Sequence, residues 1–163
     1  MILVAGVGNL FLSDDGFGPE VVRAIGASGA ALPPGVEVVD YGIRGMHLAY
    51  DLLKGYNALV LVDAVPRGGA SGELTLLKVG PDDLGAGELD AHGMNPVAVL
   101  ASLDGLGGEL PPTYVVGCRP ADLDEGIGLS KVVEAAVPVA VRTVLDLVAR
   151  LAPERADVTA GRS

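Results

Sequence analysis

The chain has 163 residues, half of them hydrophobic, enough length and apolar content for one domain with an ordinary core. Its 11 Lys and Arg against 21 Asp and Glu give a formal charge of −10, and it has no basic run. That argues against a nucleic-acid or anionic-membrane partner and favours cations, metal ions or basic protein segments. Residues 1–16, MILVAGVGNLFLSDDG, carry no basic n-region and no long apolar span, and Cys118 is the only cysteine. The expectation is a cytoplasmic protein without signal peptide, membrane span or disulfide framework.

Met1 to Val7 is an apolar, β-rich run closed by Gly6 and Gly8, which predicts a strand buried on both faces at the sheet centre. After the loop Gly8 to Gly16, Pro19 at a first helical position, Glu20 in the first turn and Val21, Val22 and Ile25 on one face predict a helix. Val36 to Tyr41 reads as a second strand, and Met46, Leu48, Leu52 and Leu53 recur at near-helical spacing. Ala58 to Val65 reads as a third strand. Glu73 to Val79, between the turn signals PRGGASG and GPDDLGAG, reads as a short edge strand able to break a parallel pattern. Asn95 and Pro96 open a helix to about Asp104, and Thr113 to Cys118 is the fifth strand. Ser130 caps a last helix to about Leu151, with Pro138 a candidate kink. The prediction is an α/β three-layer sandwich with a twisted, mostly parallel five-stranded sheet between helices. It spans residues 1–151, followed by a frayed tail over 152–163. In such folds ligands sit at the carboxyl ends of the strands.

GVGN at positions 6–9 invites a dinucleotide reading, but the third glycine of G-x-G-x-x-G falls on Phe11 and the helix opens only near Gly18. A nucleotide-binding module with Asp40 as the ribose acid stays as a minor alternative; no P-loop or G-x-S-x-G is present. Three other places stand out. In SDDGFG, Asp14 and Asp15 have a plain reading as a turn and a helix cap. Asp63 ends the apolar strand LVLV, where a charge leaves the core, and has a plain reading as a strand-end cap. His92, in the glycine-flanked loop DAHGMN, is placed either for a cleft or for solvent. Taken together, Asp15, Asp63 and His92 offer two carboxylates and an imidazole from three strand ends, a donor set for a borderline transition metal with positions left open. His47 reads as structural or solvent-facing, and Cys118, on a buried strand, as core.

In order along the chain, GVGN, SDDGFG, RGM, LVDAV, AHGMN and VGCRP followed by GIGLS resemble the nickel-iron hydrogenase maturation endopeptidases, over about residues 1–150. The resemblance implies a peptidase that clips a C-terminal extension from a hydrogenase large-subunit precursor once its nickel-iron centre is loaded. It assigns the metal-binding and catalytic roles to Asp15, Asp63 and His92, and makes the nickel the substrate's own rather than a resident cofactor. Nickel held by precursor thiolates would accept these ligands in its remaining positions, so binding would report completed insertion and orient the nearby peptide. Three routes to water activation stay open: a polarised scissile carbonyl, a metal-lowered water pKa, or a carboxylate general base. A nickel-holding chaperone that cuts nothing is the rival from another class. Two departures from the family pattern bear on the site. Asp15 is the shorter of the two acids the family admits, and DYGIRG at 40–45 replaces a Gly-Gly-Thr or Gly-Gly-Ser segment, making Arg44 a candidate substrate contact.

Overall fold

The computed structural model describes residues 1–66, 69–80, 100, 103 and 105–152. Unbroken apolar runs become the inner strands: β1 (Ile2–Val7) and β3 (Ala58–Ala64) are buried at every position, as strands covered on both faces must be. With β2 (Val36–Gly42), β4 (Leu74–Val79) and β5 (Thr113–Cys118) they form one sheet in the order β2-β1-β3-β5-β4. All pairings are parallel except β4–β5. The predicted edge strand is therefore the one that reverses. The central strand is β3, flanked by two strands on each side, and not β1; continuous burial marks an interior strand without ranking it among interior strands.

The helices are α1 (Phe17–Ala27), α2 (Gly45–Leu52) and α3 (Lys131–Leu151), with a 3₁₀ turn over Ser13–Gly16. Pro19 lies in the first turn of α1, where a missing N–H removes no helical hydrogen bond. Pro138 sits inside α3, which runs through it without a break. Of the helix read over Asn95–Asp104, Leu100 and Leu103 are described, and both are helical and buried; its remainder and residues 153–163 lie outside the described residues.

The two-residue strand period divides the core in two. On one face Val4, Val60, Val62 and Val116 meet α1 and α3 through Phe17, Val21 and Val144. On the other, Leu3, Ala5, Leu59 and Leu61 meet Leu48 and Leu52 of α2 together with Leu100 and Leu103. Small residues let α1 approach the sheet closely at its amino end. A Cβ on Gly18 would lie 2.3 Å from the carbonyl oxygen of Val62 and 2.4 Å from that of Val7. That contact brings the start of α1 against β1 and β3 at their carboxyl ends, the edge where the site is built.

Gly18→Ala forces a methyl into backbone atoms that cannot yield as a side chain can. We expect it to cost about 2–3 kcal/mol and to lower Tm by roughly 5–10 °C, measured by thermal denaturation followed by circular dichroism; an unchanged Tm would contradict the packing argument.

Candidate active site

Because β1, β3 and β5 run parallel, the segments leaving them emerge along one edge of the sheet. The β1 exit carries Asn9 to Gly16, β3 ends on Asp63 and Ala64, and the β5 exit runs from Arg119 to the start of α3. The first and last of these are laced together. Gly126 N donates to the Phe11 carbonyl at 2.9 Å, Ser13 N to the Gly126 carbonyl at 2.9 Å, and Asp14 N to the Asp122 carbonyl at 2.9 Å. Ser13 has φ +51°, a left-handed conformation costly for a residue with a side chain. It is held there by these bonds and by its hydroxyl, which donates to the Asp124 carbonyl at 2.8 Å.

Asp14 is fully buried and its carboxylate accepts four hydrogen bonds. Ala121 N and Asp122 N donate to Oδ2 at 2.8 and 2.9 Å, Ser130 N donates to Oδ1 at 2.7 Å, and the Ser130 hydroxyl donates to Oδ2 at 2.8 Å. Burial raises the carboxyl's pKa, but the donors from Ser130, Ala121 and Asp122 outweigh it and hold the group below the usual carboxylate range. Ser130 is the amino-terminal cap of α3, as predicted, yet its hydroxyl makes no cap bond to its own helix; it serves Asp14 instead. The reading of Asp14 as a simple turn residue or cap missed this role.

Asp15 and Asp63 are nearly buried, 7% and 8% exposed. Each has one carboxylate oxygen pinned by a backbone N–H: Asn9 N donates to Asp15 Oδ2 at 2.8 Å and Ala64 N to Asp63 Oδ1 at 2.8 Å. Among the described residues no ion pair neutralises either acid, and their second oxygens accept no hydrogen bond. Burial first, and then the charge of Asp15, push the Asp63 carboxyl well above its ordinary pKa, against the opposing Ala64 N–H. The two acids predicted to act together are therefore electrostatic neighbours in a poorly solvated place. A proton or a cation between them relieves both the desolvation and the repulsion.

His92 lies outside the described residues, and among the described residues no three His, Cys, Asp or Glu side chains form a metal-holding group. His47 is exposed on α2. Cys118 is fully buried, and burial followed by the charge of Asp14 pushes its thiol up to about 12, the behaviour of a core residue. Arg44 turns back on its own loop, donating from Nη2 to the Asp40 carbonyl at 2.8 Å and from Nε to the Tyr41 carbonyl at 3.3 Å. The glycines of GVGN serve packing, since a Cβ on Gly8 would lie 1.9 Å from the Asp15 carbonyl oxygen. Asp40 Oδ1 accepts the Gly42 N–H at 2.8 Å, a local turn bond. The two features that suggested a nucleotide thus have structural duties.

The opposite environments of Asp14 and Asp63 give opposite pH behaviour. Asp14, with its folded pKa lowered, contributes stability above the unfolded-state value that is lost as pH falls through the folded one. Asp14→Asn should cost about 2–4 kcal/mol at pH 7, with an amide donor now facing backbone donors, and the deficit should narrow below roughly pH 4. Asp63, with its folded pKa raised, costs nothing below the unfolded-state value and costs increasing stability as pH rises from there through the folded one. In metal-free protein Asp63→Asn, which keeps the oxygen for Ala64 N, should therefore raise Tm at neutral pH, with the gain vanishing towards pH 4. Denaturation at several pH values tests both; a destabilised Asp63→Asn at pH 8 would contradict the second.

A family model described as hydrogenase maturation protease matches residues 19–147. The chain is 34% identical over 150 residues to the hydrogenase 2 maturation protease of Escherichia coli, spanning 88% of each protein. It is 31% identical over 156 residues to the hydrogenase expression/formation protein HoxM of Cupriavidus necator, covering 92% of this chain and 75% of that one. The solved structure of the hydrogenase maturating endopeptidase HybD from E. coli superposes with a TM-score of 0.77 at 32% identity, covering 91% of this chain and 92% of that one. The shared α/β architecture and these similarities establish that the chain is a peptidase belonging to the hydrogenase maturation protease family.

Proposed function

We propose that the protein removes the C-terminal extension of a nickel-iron hydrogenase large-subunit precursor after nickel insertion. In this reading the substrate's nickel is recognised by Asp15, Asp63 and His92. The observation that carries it is the buried pair Asp15 and Asp63, each with one oxygen fixed by a backbone N–H and the other without a hydrogen-bond partner among the described residues. Family membership supplies the peptidase activity and the hydrogenase context.

The chemistry follows from that pair. Two carboxylates without a countercharge favour a cation over an uncharged peptide, and hard oxygens with one imidazole suit a borderline metal already held by softer thiolates. A precursor lacking nickel would bring nothing to offset the repulsion between Asp15 and Asp63, so the site discriminates loaded from unloaded substrate. Because the pinned oxygens fix both carboxylates in direction, binding the ion also fixes the adjoining peptide bond against them, the entropic part of catalysis. Hydrolysis adds water across that bond: its oxygen goes to the carbonyl carbon, a proton goes to the departing nitrogen, and the C–N bond breaks. In this reading the nickel leaves with the matured subunit.

Mass spectrometry of a nickel-loaded precursor incubated with the protein tests the reading. The wild type should shorten the precursor, and a nickel-free precursor should keep its mass. Asp15→Ala, Asp63→Ala and His92→Ala should each slow cleavage by at least about 100-fold while staying folded. Normal cleavage by all three variants sinks the site assignment, whereas an unchanged mass with wild-type protein and bound nickel points to the nickel-holding alternative.

A further inference from the structure

The β1-exit loop that carries Asp15 and the β5-exit loop bonded to it also expose apolar side chains. Phe11 is 67% and Ile127 81% exposed, with Leu10 beside them at 42%. Single exposed apolar residues are ordinary in soluble proteins, whereas contiguous ones mark binding surfaces. Here they stand on two loops that hydrogen bonds join into one piece, with Leu12 bridged to Gly126 and the Phe11 carbonyl taken by Gly126 N at 2.9 Å. Side chains presented on a braced support lose little further freedom when a partner binds.

Ile127 forms a ridge between two grooves. One, of about 390 Å³, is lined by Asn9, Phe11, Leu12, Glu125 and Gly126 as well as Ile127. Its lining includes Asn9, the residue whose N–H holds Asp15. The other, of about 640 Å³, has an apolar wall that includes Leu10, Leu129, Val137 and Pro138, with Glu20, Arg23 and Glu134 as its charged residues. Arg23 is engaged by Glu20. Glu134 and Glu125 have no ion pair among the described residues, which leaves both grooves acidic.

Building on the function proposed above, we propose that the Phe11–Ile127 ridge is the docking surface for the precursor's polypeptide next to the bond that is cut. The occupant is an extended segment that sets apolar side chains against Phe11 and Ile127 and brings a cationic side chain to Glu125 or Glu134. A second copy of this chain is the poorer occupant: with a formal charge of −10 it would set acid against acid at the rims. The apolar ridge supplies affinity, the acidic rims select charge, and the groove lined by Asn9 sets the segment on the loop that carries Asp15.

Steady-state cleavage of the nickel-loaded precursor, followed by mass spectrometry, tests this with the Phe11→Ser/Ile127→Ser double variant. Both residues are exposed, so Tm should stay near the wild-type value. KM should rise by at least about tenfold with kcat within about twofold, the signature of lost uniform binding. Glu125→Lys/Glu134→Lys should also raise KM, and Leu76→Ser, at an exposed apolar position on the edge strand, should change nothing. An unchanged KM in the Phe11/Ile127 double variant overturns the docking surface while leaving the cleavage reading intact. Should the wild type fail to cut, the function reading falls, and docking is judged by precursor binding alone: equal binding by wild type and double variant overturns it, weakened binding supports it. A concentration-dependent dimer in sedimentation that the double variant abolishes would assign the ridge to a second copy and overturn the chosen occupant.

Discussion

A carboxylate taken out of water is costly unless its lone pairs are filled, and Asp14 meets that condition with four donors reached from the far end of the chain. This one group joins the β1 exit, the β5 exit and the first residue before α3. The next residue is Asp15, so the position of the candidate ligand is set by a network in which it takes no part. The left-handed Ser13 just before is tolerated for the same reason: its hydroxyl and its N–H each have a fixed acceptor. Preorganisation of this kind lets the site hold its geometry before a substrate arrives.

Two adjacent acids and one across the sheet are handled in opposite ways. Asp14 is surrounded by donors, which stabilises its charge and the fold together. Asp63 has a single N–H, deep burial and another acid as neighbour, so its charge works against the folded state. The excess is carried by the two apolar layers either side of β1 and β3, which contain no such conflict. Conflict confined to one edge of an otherwise consistent fold is the usual mark of a site kept for function rather than stability.

Much of the fold was legible because parallel strands buried on both faces leave continuous apolar runs. Thr113–Cys118 falls where the sequence predicts it, and β3 differs by one residue at its end. Asp63 was legible for the same reason, as a charge at the end of such a run. The rank of β1 in the sheet was not, since burial is equal for any interior strand. Asp14 was illegible in a different way. Its partners lie 107, 108 and 116 residues away, and a single sequence displays an acid in a turn without the donors that will surround it. Ser130 illustrates the same limit: its place as a cap could be read from the helix it begins, whereas the direction of its hydroxyl depends on a turn more than a hundred residues earlier.

The sequence GVGN draws its interest from a likeness to phosphate-binding loops, and the reason the likeness fails defines the site. In a dinucleotide fold the glycines after the first strand lead directly into a helix whose amino end receives an anion. Here the chain interposes the segment from Asn9 to the 3₁₀ turn before α1 begins at Phe17. The room that Gly8 leaves is filled by the chain's own carbonyl at Asp15. A glycine that elsewhere admits a phosphate here admits a turn bearing carboxylates. The same strand end, on the same kind of sheet, is thereby converted from a place that prefers anions to one that prefers cations, the reversal that the proposed recognition of a substrate's metal requires.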